Sequence, residues 1–279
     1  MFLYAGGRLI DPDTPVLTAS DHGVLVGDGA FETCELIDGR TFALTRHLDR
    51  LDASVRALGL GAPDRDEIRA AVAAVEGAWA RADAGPTGRL RITWTSGPGP
   101  MGSDRGDGPP TLLVAAGPAP EPRPVRVRIS PWVRNERSPL TGVKSISYAE
   151  NVLALADAKA HGAGEAILAN TRGELCEGTG TNVFVESGGE LLTPPLSSGA
   201  LAGVTRALVL EWAREEELPV AEATLALDVI RTTKHAALSS STRGLVPIIG
   251  VDDRSLEPGE LTRAMAEIFR RRRLEHLDP

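Results

Sequence analysis

Apolar and polar positions alternate along this chain with two periods, one helical and one extended. From Thr45, which the spacing places as an N-cap, Leu48, Leu51, Val55 and Leu58 fall on one helical face. A second helix follows Pro63 and turns Ile68, Val72, Val75 and Trp79 inward. Short β-rich runs at Phe2–Tyr4, Arg40–Ala43, Leu90–Thr95 and Thr111–Ala115 predict strands. Then Gly117-Pro-Ala-Pro-Glu-Pro-Arg-Pro124 places a proline at every second position, which neither a helix nor a central strand accommodates; it reads as a stiff linker.

Beyond it the pattern predicts a strand over Val125–Ile129. A helix over Ala149–His161 follows, with Val152, Leu153, Ala156 and Ala160 on its apolar stripe and Gly162 as C-cap. Strands are expected over Glu165–Ala169, Asn182–Glu186, Glu190–Thr193 and Ala236–Ser240, with Gly188–Gly189 as a hairpin turn. A helix starting near Thr205 carries Leu208, Val209 and Trp212, and an amphipathic helix over about Glu260–Leu274 closes the chain. These elements suggest two α/β-type domains, 1–117 and 129–279 joined by a linker over 118–128, meeting at a cleft of the kind that holds small molecules.

Composition narrows the function. The chain has 279 residues, 42% of them apolar, enough for a substantial core. Its 38 acidic and 30 basic residues leave a net charge of −8, the wrong balance for nucleic-acid binding. The Arg270–Arg273 run reads as a solvated helix end that favours the helix dipole. Apolar runs are far too short for a membrane span, and no signal-peptide pattern opens the sequence. Cys34 and Cys176 lie far apart without metal-type spacing, so reduced, partly buried thiols in a cytoplasmic protein are expected, with no metal.

Three of the 30 basic residues are lysine, the other 27 arginine, which isolates each lysine for inspection. Lys159, near a helix end, and Lys234, in a polar connection, read as surface residues. Lys144 sits in Thr141-Gly-Val-Lys-Ser-Ile-Ser147 with no carboxylate within five positions. Such a setting destabilises an ammonium and suits an amine nucleophile, though an ordinary loop lysine fits the segment equally well. Gly203 and Thr205 at a predicted helix start offer free N–H groups and a positive dipole end to a phosphate, or simply a helix cap. Ser239-Ser-Ser-Thr-Arg-Gly244 can cradle an anion or form a polar loop. Glu177, in a glycine-flanked bend, either faces solvent or holds a ring nitrogen protonated. Amine, phosphate clamp and carboxylate are the three handles that pyridoxal phosphate requires.

Several ordered motifs then carry a resemblance. They are Gly27-Asp-Gly-Ala-Phe-Glu-Thr33, Arg46-His-Leu-Asp-Arg-Leu51, Lys144, Glu165-Ala-Ile-Leu168, Glu177-Gly178, Asn182-Val-Phe184, Thr193-Pro-Pro195, Gly203-Val-Thr-Arg206 and Ser239–Pro247. Together they resemble the class IV (fold type IV) pyridoxal-phosphate family of branched-chain aminotransferases, D-amino-acid transaminases and 4-amino-4-deoxychorismate lyases. The resemblance implies a small N-terminal α/β domain, a larger C-terminal domain with a pseudo-barrel sheet, and a homodimer. It implies Lys144 as the Schiff-base lysine and Glu177 as the partner of the pyridine nitrogen. Arg50, Val204, Thr205, Ser240 and Ser241 become phosphate contacts, Leu201 packs on the ring, and Tyr148 reaches its phenolic oxygen. Phe31, Arg91, Thr242 and Arg243 become substrate contacts, Arg91 being equally readable as an outward strand residue. Arg206 reads as structural. The implied activity is amino transfer within a small amino acid/keto acid pair, with the lyase reaction as the alternative. Signals for the branch conflict: the Lys144–Glu165 spacing matches transaminases of D-amino acids and lyases, whereas Met101-Gly102 and Arg91 match branched-chain enzymes.

Overall fold

The computed structural model describes residues 1–279, folded as two compact units. The first comprises Met1–Pro120, Val143–Tyr148 and His276–Pro279; the second comprises Glu121–Gly142 and Ala149–Glu275. The expected linker over 118–128 is therefore too long. Residues 118–124 are irregular, but pairing begins at Val125, once the prolines that lack N–H donors are past.

The first unit contains β1 (Phe2–Ala5), β2 (Arg8–Ile10), α1 (His22–Leu25), β3 (Gly29–Ile37), β4 (Arg40–Thr41), α2 (Leu44–Ala57), α3 (Arg65–Arg81), β5 (Thr87–Thr95) and β6 (Thr111–Gly117). Its sheet runs β2-β1-β6-β5-β3-β4, antiparallel throughout. One sheet face, with Leu36, Leu90, Ile92 and Val114, packs on the α2 and α3 faces that the periodicity predicted. Each fully buried leucine there contributes roughly 1.5–3 kcal/mol. The β3 strand escaped the sequence reading because it is buried on both faces and carries Glu32 and Glu35, so no apolar–polar alternation marks it.

Thr45 is not the N-cap of α2. Ala43 caps it in a left-handed conformation (φ 53°), and the Thr45 N–H and hydroxyl both donate to the Asp278 carboxylate, at 2.9 and 2.6 Å. A distant carboxylate thus does what a local side chain was expected to do.

The second unit contains β7 (Val125–Ile129), α4 (Ala149–Ala160), β8 (Glu165–Ala169), β9 (Leu175–Gly178), β10 (Asn182–Ser187), β11 (Glu190–Thr193), α5 (Val204–Glu215), β12 (Val220–Glu222), α6 (Asp228–Thr232), β13 (Ala236–Ser240), β14 (Gly244–Val251), β15 (Arg254–Ser255) and α7 (Glu260–Glu275). Its sheet runs β12-β11-β10-β13-β14-β7-β8-β9, with β15 on β14. The sheet curls until β9 lies against β10. Gly188 and Gly189, at φ 62° and 84°, turn the β10–β11 hairpin as expected.

The expected inward stripe of α4 is reversed. Val152 and Leu153 are each 60% exposed, whereas Asn151, Ala154 and Ala158 are buried, the alanines packing on Ala166 and Leu168 of β8. Alanine lets the helix lie close on the sheet, and the larger side chains are left outside. The Arg270–Arg273 run is more engaged than a solvated end: Arg271 and Arg272 bridge to Glu216 and Glu215 beyond α5 and at its last residue. No helix is long and apolar enough to cross a membrane.

Candidate active site

In the first unit, the segment from Lys144 to Ser147 is bound to the start of β3. The Phe31 N–H donates to the Lys144 carbonyl (3.0 Å), the Ile146 N–H to the Gly29 carbonyl (2.9 Å), and the Ser147 hydroxyl to the Gly27 carbonyl (2.8 Å). The Lys144 N–H donates to the Ser54 hydroxyl of α2 at 3.1 Å. Gly29 is required by this close approach, since a Cβ there would stand 2.9 Å from Ile146 and 2.4 Å from the Trp94 carbonyl.

This anchoring carries the Lys144 ammonium nitrogen to 4.4 Å from the Phe31 ring centroid and 5.9 Å from that of Tyr148. The two rings meet edge to face at 5.2 Å. Arg91 places its guanidinium carbon 3.8 Å from the Phe31 centroid and donates to the Thr93 hydroxyl. Lys144 is partly buried, whereas Lys159 and Lys234 are exposed, as their settings predicted.

Behind β3, sequence reasoning missed a buried charged cluster. Glu32 on β3 receives Nε and a terminal N–H of Arg50 at 2.9 and 2.7 Å, and its carboxylate lies 2.7 Å from His47 Nδ1. Burial by itself would raise the Glu32 carboxyl pKa. The Arg50 charge, with hydrogen bonds from Arg50 and His47, outweighs it and brings the pKa to about 2. Burial lowers the His47 pKa, against the pull of Glu32, and the imidazole stays neutral. His47 and Arg50 are three apart on α2 and so share the face turned to β3, a signal present in the quoted motifs.

In the second unit, Glu177 ends in two fixed contacts. One oxygen accepts the Leu201 N–H at 2.8 Å, and the other lies 3.3 Å from an Arg134 nitrogen. Arg134, which no sequence signal indicated, also donates to Asn151 Oδ1 at 3.2 Å. Asn182 donates to the Leu201 carbonyl at 2.9 Å and lies so close to Gly203 that a Cβ there would come within 2.0 Å of its oxygen. From Gly203, α5 begins without any side-chain cap, so that the N–H groups around Val204 and Thr205, with the helix dipole, can seat an anion. Thr205 is buried in that first turn, and α5 packs on β13, which ends at Ser240; Ser240 and, in the turn after it, Ser241 and Thr242 are half-buried.

Arg206 does not face this seat. It is buried and donates to the Pro194 carbonyl and the Glu222 carboxylate, the structural part expected of it. The two cysteines are free and fully buried, more so than expected. Desolvation raises both thiols, that of Cys176 to about 12, so neither is a nucleophile at neutral pH.

The amino-transferase class IV family model matches residues 29–251. The chain belongs to that family. A putative branched-chain-amino-acid aminotransferase from Methanocaldococcus jannaschii is 32% identical over 281 residues, covering 97% of this chain and 96% of the relative. A bifunctional aminodeoxychorismate lyase / D-amino acid transaminase from Mycobacterium tuberculosis is 31% identical over 234 residues, 77% of this chain and 78% of its own. Among solved structures, a hypothetical aminotransferase from Mycobacterium tuberculosis in its PLP-bound form is similar at a TM-score of 0.88. It is 27% identical and covers 97% of this chain and 98% of its own. The architecture of this class IV enzyme is accordingly that of fold type IV.

Proposed function

We propose that the protein is a pyridoxal-phosphate-dependent aminotransferase acting on a small amino acid/keto acid pair, and that it works as a cytoplasmic homodimer. The residues fit the cofactor. The uncapped start of α5 with its buried Thr205, the glycine at 203 and the hydroxyls of 240–242 suit a phosphate, and the anchored Glu177 suits a basic ring nitrogen. When bound, pyridoxal phosphate supplies an aldehyde for amine exchange and a ring that takes up the electron pair left at the substrate Cα.

The protein's own groups then have distinct tasks. Lys144 supplies the amine that holds the aldehyde and, once released, moves the proton at Cα. Glu177, oriented by Arg134 and the Leu201 N–H, would face the ring nitrogen and hold it protonated. Val204, Thr205, Ser240 and Ser241 would bind phosphate, and the family resemblance adds Arg50, which Glu32 fixes. Leu201 would pack on the ring and Tyr148 would hydrogen-bond its phenolic oxygen. Phe31 and Thr242 border the substrate, and Arg91, braced on Phe31, binds a carboxylate. Trp132, Val133, Val152 and Leu153 are exposed apolar side chains that a second copy would cover.

One observation carries this reading: the partly buried lysine is the one whose backbone is pinned on both sides and whose amine is aimed at two aromatic rings. The test is the visible absorption spectrum of protein incubated with pyridoxal phosphate, before and after borohydride. A borohydride-fixed chromophore is expected in the unsubstituted protein. Lys144→Ala should lose it, together with at least about 10²-fold of the amino-transfer rate. A colourless wild-type protein would refute the proposal. The name of the bifunctional relative favours one second reading, 4-amino-4-deoxychorismate cleavage. Pyruvate and p-aminobenzoate release, assayed beside keto-acid-dependent amino transfer, separates the two.

A further inference from the structure

Arg243 stands at the turn after β13, and its side chain is 21% exposed. Its guanidinium has partners within the protein. Here Nε donates to the Ser240 hydroxyl at 3.3 Å, and a terminal nitrogen lies 3.5 Å from Glu165. Glu165 is itself 3% exposed, at the start of β8. One of its oxygens collects the Ala166 N–H and the Thr179 N–H, both at 3.1 Å, and the Thr179 hydroxyl; the other accepts the Thr181 hydroxyl at 3.3 Å. Thr179 and Thr181 form the bend that leaves Glu177, and the Thr179 carbonyl accepts a hydrogen bond from Asn151, whose oxygen receives Arg134. A continuous polar path therefore runs from Ser240 through Arg243, Glu165, Thr179 and Asn151 to Arg134, which meets Glu177.

We propose that Arg243 is a positioning residue: through Glu165 it ties the hydroxyl loop at 240–242 to the bend that holds Glu177, so the two anchor points of the cofactor are set together rather than independently. This rests on the reading of the site given above, and it reassigns Arg243 from the substrate to the protein. Linked buried polar groups favour one mutual geometry, and removing a member loosens it. Glu165 would otherwise be an enclosed carboxylate facing no arginine.

The experiment is direct titration of the unloaded full-length protein with pyridoxal phosphate, followed by absorbance. Arg243→Met and Glu165→Gln are each expected to weaken binding about 10- to 100-fold and to shift the visible band of the bound chromophore. The double variant should lose little more than either single one, because one coupled path is cut once. Arg243→Lys, which keeps the charge without the fork, should recover part of the loss. Glu165→Gln keeps its shape and its acceptor oxygen, so it reports even where Arg243→Met disturbs folding. An unchanged dissociation constant and spectrum in both single variants overturns the proposal. So does a rise in KM for the keto acid alone, which returns Arg243 to the substrate. Failure of the unsubstituted protein to take up the cofactor overturns the reading of the site itself, a result separate from either.

Discussion

Glu32 is fully enclosed and yet ionised, because Arg50 and His47 give its carboxylate better partners than water would. Its folded pKa, about 2, lies below the unfolded value near 4.5, so it stabilises the protein above the unfolded value. That contribution, about 3 kcal/mol, should be lost as pH falls from roughly 4.5 to 2. The lowered His47 pKa acts with the same sign, its stabilisation waning as pH drops below about 6.5. Urea unfolding of the cofactor-free protein as a function of pH should therefore show stability declining on the acid side in two stages. Glu32→Gln should remove the lower stage and cost about 3–5 kcal/mol at pH 7, since it takes the carboxylate charge from a nearly enclosed Arg50. A cost below 1 kcal/mol would mean that Arg50 finds another partner and that Glu32 does not set its position.

Among the elements, α2 links stability to the candidate site, because it bears both His47 and Arg50. Its first turn has no local cap. Instead the Ala43 N–H donates to the Leu277 carbonyl, and Thr45 places its N–H and hydroxyl on Asp278. Asp278→Ala should therefore behave as an N-cap deletion, costing about 0.5–2 kcal/mol in urea unfolding, although position 278 is 233 residues from Thr45. No effect on stability would show that solvent serves those donors equally well. The α4 helix makes a complementary point: its apolar residues occur on two sides, and which side lies against β8 is set by size rather than by hydrophobicity.

For the whole molecule, the order of elements along the chain does not follow the division into units. The lysine segment 143–148 lies in sequence between stretches of the second unit yet folds with the first, and so do residues 276–279. The proposed homodimer gives the prediction at this scale. Sedimentation equilibrium should return about twice the 29.4 kDa chain mass at micromolar concentration. A single-chain mass with full amino-transfer activity would dismiss the dimer while leaving the chemistry intact.

The sequence by itself determined the helices α2, α3 and α5 and the β10–β11 turn, and it offered Lys144 and Glu177 as candidates. Their signals are local: a 3.6-residue period, a pair of glycines, a lysine with no carboxylate nearby. Tertiary structure alone decided that β3 is a strand, that α4 buries its alanines, and that Asp278 caps α2. It also decided that Glu32, Arg134, Glu165 and Arg243 are held in ion pairs. In each case the deciding neighbour is remote along the chain. A buried charge is tolerable only beside a partner, and that partner is chosen by which strands and helices meet in space, whereas periodicity and propensity report only what neighbours along the chain require.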